Sequence, residues 1–203
     1  MRPTEILLLE HRWIESALDC LERLASTESP ADFDPSGARA MVEFLAVFAD
    51  TSHHGKEEDH LFVAMVQRGF KQDEGPVAVM SHEHVQGRDL LRSMSEAVED
   101  YEGGEDSGGA LERFQSHVAT YVHLMRRHIE KEDSCLFQLA DAVLDEASSQ
   151  RVLEGFAEFE AEVFEGDSRD RLIAQAREFC ARYDVDLPSA ELWNPGGPSM
   201  GRA

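Results

Sequence analysis

The 203-residue chain is nearly without lysine: Lys56, Lys71 and Lys131 are the only three among nineteen basic residues, set against forty-one acidic ones. The net charge of −22 argues against nucleic acid or an anionic membrane as partner, because both select a basic footprint. Cysteine is scarce as well. Cys20, Cys135 and Cys180 are odd in number and widely scattered, so they make neither a disulfide framework nor a cysteine metal knuckle, and a cytoplasmic location is expected. Long apolar runs are missing. The run from Ile6 to Leu9 is cut off by Glu10 and His11, too short for a signal-peptide core, and no stretch approaches membrane-spanning length. Runs of alternating β-branched residues are absent, which excludes a sheet protein. A Ser-His-Asp order, a phosphate-binding glycine loop and a dinucleotide fingerprint are absent too, leaving hydrolase and nucleotide-dependent classes unsupported. The paired glycines Gly103-Gly104 and Gly108-Gly109 are turn signals.

What is present is helical. At 42% apolar and 30% charged residues the chain reads as globular, with length enough for one sizeable core. Four long segments carry a helical apolar period: about Thr4 to Leu24, Ser36 to Gln67, Pro76 to Tyr101 and Ala110 to Leu144. Asp34-Pro35 supplies an N-cap and a first-turn proline for the second, and Gly75-Pro76 opens the third. The expected fold is all-α: an antiparallel up-down four-helix bundle over residues 1–145, a short helical extension over 146–184, and a flexible tail over 185–203.

One decapeptide occurs twice. Residues 53–62 read HHGKEEDHLF and residues 128–137 read HIEKEDSCLF, both fitting H-x-x-K-E-[ED]-x-x-L-F. On a helix, His53 and Glu57 share one face, as do His128 and Glu132. A second repeat, EHRWIESAL at 10–18 and EHVQGRDLL at 83–91, puts a Glu-His at the head of an amphipathic run. The chain thus reads as two tandem helical hairpins, each with one lone histidine and one His-x3-Glu. Taken singly, such a pair is an ordinary i,i+4 contact and a lone histidine an ordinary core residue. Repeated at symmetric positions, they suit a dinuclear metal site with two histidines per metal and Glu57 and Glu132 bridging. Mixed nitrogen and oxygen ligation inside a bundle suits di-iron centres, and zinc and manganese accept similar ligands.

HHGKEEDHLF, EHVQGR and HIEKED, with EHRWIE as the first ligand helix, resemble the haemerythrin-like HHE cation-binding proteins over about Thr4 to Leu144. The resemblance implies a four-helix bundle holding two iron ions, oxo- or hydroxo-bridged, that bind or react with O2, with His11, His53, Glu57, His84, His128 and Glu132 as ligands. Oxygen-carrying members bear a fifth histidine four residues after the third-helix one. Arg88 stands there in this chain, which shifts the expectation from reversible O2 carriage toward small-molecule activation or metal sensing. Register is open at two points: His54-x3-Glu58 has the same spacing as His53-x3-Glu57, and Asp133 is an alternative carboxylate to Glu132. Aligning the repeats on their Leu-Phe pairs favours His53 and Glu57, with His54 and Glu58 flanking. Tyr121, on the stripe of His128 with His117, is a candidate hydrogen-bond donor or redox residue. Glu10 and Glu83 are candidate acceptors that fix an imidazole tautomer. His60 and Glu15 are weaker ligand candidates, and His82 and His123 are expected at the surface.

Three function classes follow: a binder of, or responder to, O2, peroxide or nitric oxide; a di-iron oxidoreductase (peroxidase, catalase, ferroxidase or NO reductase); and a non-catalytic iron sensor or store whose C-terminal helices dock or free a partner.

Overall fold

The computed structural model describes residues 1–104, 106–166, 168–188 and 192, and among them every regular element is helical. Most of the expected flexible tail, 189–191 and 193–203, lies outside the described residues. Apart from a single 3-10 turn at Pro30–Asp32, six helical stretches follow in order among the described residues. α1 is Pro3–Ala25, α2 covers 35–67, α3 is Gly75–Gly103, α4 covers 107–143, α5 is Glu146–Val163 and α6 is Ser168–Arg182. Their ends obey local chemistry. The Asp106 and Asp145 side chains accept from the backbone amides of Gly109 and Ser148 at the starts of α4 and α5, and Gly104 ends α3 in the left-handed conformation (φ 78°). At Asp34 the expected cap is made by backbone alone: its carbonyl accepts from Ala38, while its carboxylate pairs with Arg182 at 2.7 Å.

The periodicity of α2 and α4 conceals a departure from α-helical winding. Ala46–His54 and Glu57–Leu61 in α2, and Glu132–Leu136 in α4, are π-helical. The amides of Gly55, Phe62 and Phe137 bond to the carbonyls of Asp50, Glu57 and Glu132, five residues back. Such widened turns re-aim the side chains around them.

α1 packs against α2 and α4, and α3 packs against the same two. The buried apolar residues form two clusters. One holds Ile14 and Leu18 of α1, Met41 and Leu45 of α2, Leu91 and Met94 of α3, and Phe114 and Val118 of α4. The other holds Ile6 and Leu7, Leu61 and Phe62, Val77 and Met80, and Leu136 and Phe137. On α1, α2 and α3 the histidines and carboxylates of the repeats fall between the two clusters, and on α4 His128 and Glu132 lie at their junction, beside Ile129 of the first and Leu136 of the second, so a polar layer is sandwiched by apolar ones. α6 adds Phe179 to the first cluster and α5 adds Phe156 to the second. No helix among the described residues is long and apolar enough to cross a membrane.

Candidate metal centre

His11 comes from α1, His53, His54 and Glu57 from α2, His84 from α3, and His128 and Glu132 from α4; each is at most 2% exposed. They form two groups. His11, His53, Glu57 and Glu132 make one, and His54, His84, His128 and Glu57 the other, the donor atoms of each lying within 4.8 Å of one another. The carboxylates join the halves. Glu57 places one oxygen 3.7 Å from His53 Nε2 and the other 3.4 Å from His84 Nε2, while Glu132 Oε2 lies 3.2 Å from both His11 Nε2 and His128 Nε2.

Each imidazole of the repeats is held by a carboxylate on a different helix. His53 Nδ1 faces Glu10 at 2.9 Å and His128 Nδ1 faces Glu83 at 3.0 Å, within each hairpin. His11 Nδ1 faces Asp133 and His84 Nδ1 faces Glu58, both at 2.6 Å, across the hairpins. A carboxylate at Nδ1 keeps the proton there and leaves Nε2 as a lone pair. The Nε2 atoms of His11 and His53 then face each other at 3.0 Å, and those of His84 and His128 at 3.2 Å. Two lone pairs at that distance repel unless a cation or a proton lies between them. Both oxygens of Glu57 and of Glu132, and Nε2 of His54, are buried without a hydrogen-bond partner. Groups buried in that condition cost free energy that a metal ion recovers. The residues fit a metal pair.

Burial and mutual proximity separate the ionisation of these groups. Burial, with His11 alongside, holds His53 well below the usual imidazole range, and burial with His54 alongside does the same to His84. Burial would lower His128 too, but Glu132 and Glu83 outweigh it and raise it to about 9. Glu57 is pushed well above the carboxylate range by burial and by Glu132. Glu132 stays well below it despite burial, because His128 and His11 adjoin it.

The two registers for α2 are not exclusive. His53 and His54 both turn inward, His54 stacking on His84 with ring centroids 3.8 Å apart, because the π-helical Ala46–His54 segment re-aims them. The second repeat has no such segment before His128, and the position matching His54 is Ile129. His54 therefore stands in the cluster where a flanking residue was expected. Glu58 and Asp133 hold imidazoles instead of joining the groups. Glu10 and Glu83 are acceptors as expected, but for the neighbouring helix's histidine. Lys56 and Lys131, which composition left without a role, pair with Glu10 and Glu83. The signal was in the sequence: two of three lysines sit at the same offset of the repeat.

Other candidates lie apart. His60 packs on Phe156 and Phe159 of α5, Glu15 pairs with Arg12, and His82 and His123 are exposed. His117 is half-buried and belongs to neither group. Arg88 bridges Asp50 and Glu58 at 2.8 and 2.7 Å. The Tyr121 hydroxyl is buried and makes no hydrogen bond.

An all-helical chain whose core holds two adjoining histidine–carboxylate groups defines a metal-binding protein. The model of the Hemerythrin HHE cation binding domain matches residues 2–140, and the chain belongs to that family. No curated protein and no solved structure matches it.

Proposed function

We propose that the protein is a non-haem di-iron protein that binds or responds to O2, peroxide or nitric oxide. The reading gives it an antiparallel up-down bundle over 1–145, the extension 146–184 and a cytoplasmic location. The antiparallel reading is supported by the two apolar clusters, which α1 and α3 meet in one order and α2 and α4 in the other. The proposed ligands are His11 and His53 at one metal, His84 and His128 at the other, and Glu57 and Glu132 between them, with His54 added to the second metal. The observation that carries the reading is the convergence of buried Nε2 atoms and unpartnered carboxylate oxygens across four helices.

Bound iron supplies one-electron redox chemistry and open coordination positions for a small ligand. The chain's own groups do the rest. Glu10, Glu58, Glu83 and Asp133 fix the tautomers of His53, His84, His128 and His11, Asp50 faces Nδ1 of His54 at 3.3 Å, and the apolar clusters above and below limit water. With Glu57 and Glu132 counted at both metals, His54 leaves the His11/His53 position with one donor fewer, and so more open to a small ligand. That inequality favours binding or activating a small molecule over structural zinc. Oxidoreductase activity is the second reading, resting on the same open position.

The test is metal content of His53→Ala, Glu132→Ala and His82→Ala proteins. The two site variants lose metal and thermal stability while His82→Ala changes neither. A full metal complement in both site variants would overturn the ligand set.

A further inference from the structure

The family region ends at residue 140, yet an element beyond it reaches the site. Glu160 of α5 is 4% exposed, and its carboxylate lies 2.8 Å from Nζ of Lys56. Lys56, fully buried, also donates to one oxygen of Glu10, whose other oxygen takes His53 Nδ1. On the far side, Arg169 Nε lies 3.2 Å from Glu160 Oε2. A row of alternating charge, Arg169, Glu160, Lys56, Glu10, thus ends on one imidazole of the metal cluster. A wholly buried ammonium needs more than the half of Glu10 left over from His53, and Glu160 supplies it.

The seat of α5 is shaped to hold that row. A Cβ on Gly55 of α2 would overlap the Phe159 ring, and one on Gly155 of α5 would overlap the His60 ring. A glycine on each helix therefore allows the close approach that brings Glu160 to Lys56. The symmetry-related half differs. Lys131 pairs with Glu83 beside His128, but Lys131 is 38% exposed and no second carboxylate pairs with it among the described residues.

We infer that Glu160 is a positioning residue for one metal position only, that of His11 and His53. It holds Lys56 against Glu10, which keeps the second Glu10 oxygen on His53 and leaves His53 Nε2 facing the cluster. The inference rests on the metal-pair reading. It makes the C-terminal helices part of the site's electrostatics, and by linkage a metal at that position tightens the seat of α5.

The experiment is anaerobic titration of metal-free full-length protein with Co2+ as the probe, following the ligand-field spectrum. The wild type takes two equivalents. Glu160→Gln takes two with one step weakened about tenfold, the low end for groups that orient a ligand, and the other step unchanged. A merely packing role for α5 would lower the thermal midpoint of the metal-free protein and leave both steps alone, which overturns the inference, as does equal weakening of both. If Glu160→Gln does not fold, Lys56→Gln/Glu160→Gln, which removes the buried charges together, is titrated instead and must show the same selective loss. A wild type that takes up fewer than two equivalents contradicts the metal-pair reading itself, a separate outcome.

Discussion

Glu10 accepts from His53, 2.9 Å away on the next helix, and not from His11, its neighbour in sequence. Glu83 repeats the relationship with His128 at 3.0 Å. Each hairpin thereby locks one imidazole by a carboxylate from its partner helix. Glu10→Ala and Glu83→Ala are each expected to weaken metal binding by about 10- to 100-fold, the usual effect of losing a group that orients a ligand. Competition with a chelator of known affinity measures this; affinities within twofold of wild type would contradict it.

His54 breaks the internal symmetry, for the equivalent residue is Ile129. His54→Ile makes the halves alike in their donors. The expected outcome, in protein loaded with 57Fe, is two resolved Mössbauer doublets for the wild type and a narrowed separation in the variant at unchanged iron content. Identical spectra would mean His54 Nε2 is not a ligand.

Removing the metal should destabilise the chain. At free metal a thousandfold above Kd, one site contributes about 4 kcal/mol. At about 2–4 °C per kcal/mol for a chain of this size, that is about 8–16 °C in Tm. Calorimetry before and after chelation checks it.

Metal uptake should also release protons. In the metal-free protein, burial and Glu132 keep the proton on Glu57, and Glu132 with Glu83 overcomes burial to raise His128 to about 9. Ligation requires both to give it up, so affinity rises with pH through neutrality and falls in acid. Titration calorimetry in buffers of different ionisation enthalpy counts the protons; no dependence on buffer would contradict the assignment.

Tyr121 buries a hydroxyl that makes no hydrogen bond. Tyr121→Phe removes a buried unpaired polar group, and the expected result is an unchanged metal content with stability equal to wild type or higher by about 1 kcal/mol. Loss of metal in this variant would instead place the phenol in the site.

The helices were legible because their apolar positions repeat at the helical period, and each predicted end falls within three residues of the observed one. That the six repeat residues come together was legible because the motif occurs twice. His54 was not, since an α-helical template turns it away from the face of His53 and Glu57, and only the π-helical turns bring it in. Nor could the partnership of Glu10 with His53 be read, because sequence adjacency suggests His11 while packing of α1 on α2 decides otherwise. Glu160 carried no motif at all; its role depends on the packing of α5 against Gly55.

The central claim is a redox-active iron pair held by two histidine–carboxylate half-sites. It is tested most directly by metal content per chain in aerobically purified protein, with an optical spectrum taken before dithionite, after it, and again after air. The account predicts about two irons per chain and near-ultraviolet charge-transfer bands that bleach on reduction and return in air. Two zincs, or no metal after iron-replete expression, would contradict it.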